Sequence, residues 1–305
     1  MRVLITGARG FVGRAIADEA VARNWTVMGV GRSSQAPDGW PGSYAWADIA
    51  QSDLRHIVDS FKPDIVFHGA GAASVGNSFE FPTDDLRAST MTFASLLDSV
   101  RRSSVRPVIV FPSSAAVYGN PERLPICETD RTRPISPYGF HKLQCELLAD
   151  EYTKCFGLQV IICRIFSVFG ARQKRLLIWD LFQQMISNEE QIHVQGTGEE
   201  SRDFLPVEDA AHCILDLATA NDLPALSCFN IASGFASNVN QIVERLMGIL
   251  DCKKSVVWSR TSRLGDPLRW QADVRKLAQF TQVPSSTQVY DRLFLTAQQW
   301  LAAKK

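Results

Sequence analysis

Two side chains that could do acid–base chemistry stand four residues apart in the stretch Ser-Pro-Tyr-Gly-Phe-His-Lys. They are Tyr138 and Lys142. On a helix, residues i and i+4 share one face, so the ammonium would lie near the phenol. A nearby positive charge favours the phenolate, so the tyrosine could act as an acid or a base near neutral pH. The spacing therefore predicts a catalytic Tyr–Lys pair, with an accidental surface pair as the alternative.

The elements around this pair predict a helix and a strand that would position it. Pro137 suits the first turn of a helix, because its missing N–H had no partner there, and apolar residues follow at helical spacing. Upstream, the apolar run from Pro107 to Phe111 is typical of a buried parallel strand. Ligands bind beyond the carboxyl ends of such strands. A hydroxyl from Ser114 and the phenol of Tyr138 could therefore reach one substrate oxygen.

A glycine-rich loop near the N-terminus predicts a dinucleotide site. The apolar strand Val3-Leu4-Ile5 precedes the loop, and a helical run from Ala15 to Ala22 follows it. Glycines allow a tight turn and close approach of a pyrophosphate, and the helix N-terminus supplies N–H groups and positive dipole. The predicted cofactor-binding residues of the loop are Gly7, Arg9, Gly10, Phe11, Val12 and Gly13.

The end of the second predicted strand, Thr26 to Val30, indicates which dinucleotide binds. An NAD site usually has an acid here, on the ribose 2′-hydroxyl, but this chain has Arg32 and Ser33, while Arg9 lies in the glycine loop. Two guanidiniums suit a 2′-phosphate. NADP(H) is therefore the predicted cofactor, with NAD(H) possible and solvated loop arginines as the alternative. Further predicted cofactor contacts are Asp48 and Ile49 after the third strand, and Gly69, Ala70 and Gly71 after the fourth.

Composition excludes several classes of function. The 305 residues hold 32 Lys+Arg and 32 Asp+Glu, so no basic excess points to nucleic acid or an anionic membrane. Seven scattered cysteines without a C-x-x-C pair indicate reduced thiols, and no metal site is predicted. No apolar run approaches the roughly 18 residues of a membrane span. Met1-Arg2 leads directly into Val-Leu-Ile, so a cytoplasmic protein is expected.

Several motifs together resemble the extended short-chain dehydrogenase/reductases, and within them the nucleotide-sugar epimerase, dehydratase and reductase group. The motifs are Gly7-x2-Gly10-x2-Gly13, Ser114 before Val117-Tyr118-Gly119, Ser136-Pro137-Tyr138-x3-Lys142, Arg202-Asp203-Phe204 with Glu208-Asp209, and Arg263-x-Gly265-Asp266. The resemblance implies that Ser114 hydrogen-bonds the sugar oxygen, that Tyr138 is the general acid/base, and that Lys142 holds the nicotinamide ribose. The residues expected to contact the substrate are Ser74, Ser114, Ser167, Arg202 and Arg263.

Arg202 and Arg263 look like the family's clamps on the diphosphate of a nucleotide sugar, with ordinary surface salt bridges as the alternative. The implied fold class is α/β, a Rossmann-type doubly wound parallel sheet with a smaller, discontinuous C-terminal substrate lobe. The expected cofactor domain covers residues 1–165 and about 204–232, and the expected substrate lobe covers 166–203 and 233–305. A homodimer is expected, through the helix from Asp84 to Arg102 and the helix after Tyr138.

Departures from the family's pattern narrow the reaction. Ala115-Ala116 stand where the dehydratases carry Asp-Glu, so 4,6-dehydration is not expected. Ser89 and Ser167 stand where the family usually has Asn. Reduction of a 4-keto nucleotide sugar by NADPH is the main prediction, with Tyr138 giving the proton. The alternatives are a 4-epimerase with tightly bound NAD, a reductase of other carbonyl compounds, and a non-catalytic NADP-sensing protein.

Overall fold

Twelve strands are present in the computed structural model, which describes residues 1–261, 265 and 267–303. They are β1 (Arg2–Thr6), β2 (Thr26–Gly31), β3 (Ser43–Trp46), β4 (Ile65–His68), β5 (Val108–Ser114), β6 (Val160–Ile165), β7 (Ser167–Phe169), β8 (Gln191–Val194), β9 (Ser201–Pro206), β10 (Leu226–Ile231), β11 (Ala236–Asn238) and β12 (Ser255–Trp258). Seven of these strands form one sheet in the order β10-β6-β5-β4-β1-β2-β3. Each pairing within this sheet is parallel. The strand order reverses between β1 and β4, where open α/β sheets bind their ligands.

The helices are α1 (Phe11–Ala22), α2 (Arg55–Phe61), α3 (Val75–Glu80), α4 (Pro82–Leu86), α5 (Thr92–Arg102), α6 (Pro137–Phe156), α7 (Leu177–Ile186), α8 (Val207–Thr219), α9 (Val239–Leu250) and α10 (Ser286–Ala302). A π-helical turn, Arg87–Met91, joins α4 to α5, and short 3₁₀ turns cover Ala115–Val117 and Leu277–Gln279. The helix expected from residue 84 to residue 102 is therefore interrupted by a π turn. Within the described residues, no helix is both long and apolar enough to cross a bilayer.

The central sheet is buried on both faces because its inner strands are continuous apolar runs. Each residue of β4 and of β6 is buried. One core cluster packs α1 and α8 against one face, and a second packs α2, α5 and α6 against the other. The predicted Rossmann-type, doubly wound α/β fold is confirmed, and the sheet holds the ends of β1, β4 and β5 at one edge.

A smaller lobe is formed by elements that come after β6 in the chain. It contains the three-stranded sheet β11-β9-β7 and the two-stranded sheet β12-β8. A third core cluster packs α7, α9 and α10 against these strands. β10 returns from this part of the chain to the edge of the central sheet, beside β6. The lobe is thus discontinuous in sequence, while the expected residue boundaries of the two domains stay a prediction.

Candidate active site

A cavity of about 1440 Å³ lies at the carboxyl ends of the central strands and extends to the smaller lobe. This volume exceeds the about 300–1,000 Å³ typical of a site for one small ligand. The structure brings most of the predicted site residues to its wall, namely Arg9, Gly10, Phe11, Val12, Gly13, Gly69, Ala70, Gly71, Ser74, Ser114, Tyr138, Lys142, Ser167 and Arg202. The predicted residues that do not line it are Gly7, Arg32, Ser33, Asp48 and Ile49. Arg263 lies outside the described residues.

The glycine loop brings the N-terminus of α1 against the cavity. Gly7 has a φ of +69°, and a Cβ there would come within 2.3 Å of the Gly69 carbonyl oxygen. A Cβ on Gly13 would lie 2.8 Å from the carbonyl oxygen of Gly7. The backbone N–H of Gly10 donates to that same oxygen at 2.7 Å. The loop therefore requires small residues to turn tightly between β1 and α1, which is the shape a pyrophosphate needs.

The two arginines expected to hold a 2′-phosphate do not face the cavity together. Arg9 donates from Nη2 to Ser33 Oγ at 2.9 Å and to the Gln35 carbonyl at 3.1 Å. Arg32 is exposed, and its carbonyl accepts from Trp46 Nε1 at 3.1 Å. Arg9 thus ties the glycine loop to the segment after β2. The predicted preference for NADP(H) is not confirmed by this arrangement.

The Tyr44 hydroxyl lies against the end of β2, where an NAD site usually has an acid. Gly31 is the last residue of the strand, and a Cβ there would lie 2.8 Å from the hydroxyl oxygen of Tyr44. That hydroxyl donates to the carbonyl of Ser33 at 3.2 Å. A larger side chain at Gly31 would therefore require the Tyr44 hydroxyl to shift.

Asp48 and Ile49 lie outside the cavity wall and have local contacts. The Asp48 carboxylate accepts from the Ala50 backbone N–H and from Gln51 Nε2, each at 3.3 Å. Ile49 is buried in the core cluster beneath α2 and α5. Their predicted contact with the cofactor stays a prediction.

Ser114 and Tyr138 are positioned by hydrogen bonds between serine hydroxyls and backbone N–H groups. Ser114 is the last residue of β5, and its Oγ accepts from the Ala116 N–H at 3.1 Å. Because that bond uses a lone pair, the Ser114 hydroxyl proton is left to donate into the cavity. Ser136 caps α6 by accepting from the Gly139 N–H, and the Tyr138 N–H donates to Ser78 Oγ at 3.1 Å. The start of α6 is thus fixed on both sides of the tyrosine.

Lys142 lies beneath Tyr138 on α6, as the four-residue spacing predicts. Its side chain is buried, and Nζ donates to the Pro112 carbonyl at 2.8 Å. The ammonium lies 5.0 Å from the centre of the Phe111 ring and 5.7 Å from that of Tyr138. A buried cation held between two aromatic faces and a carbonyl supplies fixed positive charge beside the phenol. This geometry can support proton transfer by the tyrosine.

His68 ends β4 within the same cavity wall. Its Nδ1 lies 3.0 Å from Thr6 Oγ1, which also accepts from the Ala70 N–H. Burial lowers the pKa of His68 to about 3, with the charge of Lys142 as a second cause. The imidazole is therefore neutral at physiological pH and adds no second positive charge beside Lys142.

Three of the residues predicted to contact the substrate line the cavity from different parts of the chain. Ser74 caps α3, with its Oγ accepting from the Asn77 N–H at 3.3 Å. Arg202, on β9, donates from Nη1 to the Ser201 carbonyl at 2.9 Å, and its guanidinium carbon lies 5.5 Å from the centre of the Trp270 ring. Ser167 begins β7 at the cavity wall. These residues lie on three separate elements that face one space.

Sequence reasoning missed several residues of this wall. Lys174 and Arg175, in the segment between β7 and α7, line the cavity, as does Trp270. No spacing pattern in the sequence marks these residues. The position of Lys174 and Arg175 depends on the path of the segment between β7 and α7. Ser89, noted only as standing where the family has Asn, is buried in the π turn and accepts from the Ala72 N–H at 3.3 Å.

A family model described as the NAD dependent epimerase/dehydratase family matches residues 3–232. The chain belongs to this family. The UDP-glucose 4-epimerase of Mycolicibacterium smegmatis is 27% identical over 286 residues, which cover 90% of each chain. A solved UDP-glucose 4-epimerase of Thermotoga maritima, with UDP-glucose, matches 100% of both chains at 25% identity and a TM-score of 0.90. MoeE5 in complex with UDP-glucose and NAD also matches over 100% of both chains, at 26% identity and a TM-score of 0.89.

Membership of the NAD dependent epimerase/dehydratase family confirms the resemblance to extended short-chain dehydrogenase/reductases, and with it that the chain is an enzyme. In this chain, the two residues after Ser114 are Ala115 and Ala116, whose side chains are methyl groups. Methyl groups cannot donate or accept a proton. The site therefore has no carboxyl pair at that point to eliminate water.

Proposed function

We propose that the chain is a nucleotide-sugar 4-epimerase that keeps NAD bound throughout its cycle. The observation that carries the proposal is that Ser114, Tyr138 and Lys142 line one cavity large enough for a dinucleotide and a second nucleotide ligand. The similar UDP-glucose 4-epimerases and the NAD complex of MoeE5 favour this function, which was the predicted alternative. The main prediction, a 4-keto-sugar reductase, has no such support among these relatives.

NAD is the proposed cofactor because the arginines are not arranged around a 2′-phosphate. Arg9 bonds to Ser33 and Gln35, and Arg32 lies outside the cavity. The tight turn at Gly7 and the exposed start of α1 fit the pyrophosphate that NAD and NADP share. When bound, NAD takes a hydride from the sugar carbon and later returns it.

The chain's own residues would handle the proton and the charge. Tyr138 would take the proton of the C4 hydroxyl as the carbonyl forms and give it back after the sugar has turned. The Lys142 ammonium favours the phenolate form that accepts this proton. Ser114, with its hydroxyl proton available, would donate to the sugar oxygen and stabilise the charge that develops there.

Inversion at C4 requires the sugar to present its second face while its diphosphate stays bound. Arg202 would hold the diphosphate, since a planar guanidinium matches phosphate oxygens. The sequence assigns the same task to Arg263. Small side chains leave room for the sugar to turn, and those at the cavity wall include Ala72, Ala73, Ser74, Ala116 and Ser167. The proposed substrate is a UDP-sugar, as in the complexes of the similar proteins.

The proposal is tested by incubating purified protein with UDP-glucose or UDP-galactose and no added cofactor. We expect NMR to show the C4 epimer, mass spectrometry to identify NAD released from the denatured protein, and Tyr138→Phe to lower the rate of conversion by about 10²-fold or more. Consumption of NADPH in step with a 4-keto sugar, and no epimer, would instead establish the reductase.

A further inference from the structure

A third residue of α6 lies on the same face as Tyr138 and Lys142. Glu146 follows Lys142 by one helical turn, so the three side chains form one row along the helix. Its carboxylate is buried and accepts from Ser113 Oγ at 2.5 Å. It also accepts from Arg164 at two points, from Nε at 3.0 Å and from Nη2 at 2.7 Å. Glu146 thus joins α6 to both β5 and β6.

Two successive residues at the end of β5 form hydrogen bonds with side chains of α6. The Pro112 carbonyl accepts from Lys142 Nζ at 2.8 Å, and the Ser113 hydroxyl donates to Glu146. The next residue is Ser114, whose hydroxyl faces the cavity. Any movement of α6 along the strand would therefore change the distance from Ser114 to the other catalytic residues.

Arg164 connects Glu146 to the loop between Ser114 and Tyr138. Its Nη1 donates to the Tyr118 hydroxyl and to the Glu128 carbonyl, each at 2.9 Å. Tyr118 in turn donates to Asn230 Oδ1 at 2.7 Å. Burial raises the pKa of Tyr118, so the phenol keeps the proton it donates. One guanidinium therefore fixes the catalytic helix and the loop that precedes it.

We propose that Glu146, held by Arg164, is a positioning residue that sets the distance between Ser114 and the Tyr138–Lys142 pair. This inference rests on the proposed function for its activity test. Buried ion pairs are weak contributors to stability, because desolvation offsets their attraction. A buried pair that bridges the catalytic helix and the strand ending at Ser114 is therefore better explained by the geometry it imposes.

The test compares Ser113→Ala and Glu146→Gln with Ser227→Ala. Ser113→Ala removes the bond from β5 to Glu146 and leaves the ion pair intact, so it is expected to fold normally. Ser227 is a matched control, because it is a buried serine on β10 whose hydroxyl donates to a nearby carbonyl, that of Pro224, at 3.0 Å. A misplacement of about 1 Å at a catalytic group can cost roughly 10²-fold in rate.

We expect kcat to fall about tenfold in Ser113→Ala and about a hundredfold in Glu146→Gln, with the KM for UDP-sugar within about threefold of wild type. A merely structural role would leave kcat of the folded Ser113→Ala protein equal to that of Ser227→Ala, and that result would overturn the proposal. The difference between kcat and KM separates loss of positioning from loss of substrate binding.

A second measurement does not depend on the substrate. Crystal structures of wild type, Ser113→Ala and Glu146→Gln give the distance from Ser114 Oγ to the Tyr138 hydroxyl oxygen directly. We expect this distance to change by about 1 Å in the variants, because the contact between β5 and residue 146 is lost or weakened. An unchanged distance in both variants overturns the positioning role. Failure of the wild type to epimerise any UDP-sugar would reject the proposed function and leave this distance to decide on Glu146.

Discussion

Replacing Arg202 with alanine should weaken the binding of UDP far more than the binding of NAD. Arg202 is half-buried on β9 and lines the cavity. One of its N–H groups donates to the Ser201 carbonyl at 2.9 Å. A guanidinium presents its N–H donors in a planar fork that matches the oxygens of a phosphate.

The expected size of the effect follows from the kind of contact that is lost. A hydrogen bond between a guanidinium and a phosphate is worth about 1.5–3 kcal/mol, so the dissociation constant of UDP should rise by about 10- to 150-fold. Loss of the stacking contact at 5.5 Å should leave Trp270 in place, because its Nε1 donates to the Gly119 carbonyl at 3.0 Å. The substitution is therefore expected to change binding more than folding.

Isothermal titration calorimetry with UDP and, separately, with NAD measures both affinities for Arg202→Ala. Arg202→Lys keeps the charge but not the planar fork, and it should give an intermediate loss of UDP affinity. Arg292→Ala is the matched control, because Arg292 is 51% exposed on α10, and its nearest acid, Asp209, is 3.9 Å away. An equal loss of affinity for UDP and NAD would refute the assignment of Arg202 to the diphosphate.

Three further predictions concern catalysis, the cofactor and assembly. Tyr138→Phe should lower turnover by about 10²-fold or more with NAD still bound, because it removes the proton donor, whereas Tyr152→Phe on the same helix should keep turnover near wild type. NAD should bind at least as tightly as NADP, and Arg32→Ala should leave the affinity for NAD unchanged. A clear preference for NADP in equilibrium titration would instead support binding of a 2′-phosphate by Arg9 and Arg32. Leu147→Glu should dissociate an expected homodimer, since Leu147 and Phe140 on α6 are 63% and 52% exposed; light scattering that shows a wild-type monomer at micromolar concentration would contradict this.

The central fold was predictable because its signals are local. β4 and β6 are short apolar runs, and a parallel sheet covered on both faces requires such runs. The turn at Gly7 needs a positive φ, and glycine supplies it at low cost. The approach of Lys142 to Tyr138 follows from helical spacing alone, once Pro137 and Ser136 define where α6 begins.

The surroundings of the cofactor ribose were not predictable from the same signals. The partners of Arg9 depend on the path of the segment after β2, which sequence spacing does not define. Arg14 holds that segment by donating to the carbonyls of Asp38, at 3.0 Å, and Gly39, at 2.6 Å. Ser33 and Gln35 are thereby placed within reach of the Arg9 guanidinium. An arginine near a ribose site can bind a phosphate or its own chain, and sequence spacing does not distinguish the two.

Reduction and epimerisation could not be separated by residue types, because both use the same hydroxyl, phenol and ammonium. They differ in whether the cofactor leaves after one hydride transfer. That difference is a binding free energy spread over the whole cavity, and no single side chain determines it. The relatives named as epimerases therefore carried more weight on this point than Ser114, Tyr138 or Lys142 themselves.

The Arg164–Glu146 pair shows why a site of this kind keeps buried charge. An apolar pair of similar volume would avoid the cost of removing two ions from water, and such replacements are often neutral or stabilising. Apolar side chains, however, can slide against one another, whereas a guanidinium that meets a carboxylate at two points allows one alignment. Glu146 also binds Ser113, the residue before Ser114, so this alignment is passed to the catalytic hydroxyl. The position of Glu146, one turn after Lys142, is therefore better explained by the alignment of Ser114 with Tyr138 and Lys142 than by stability.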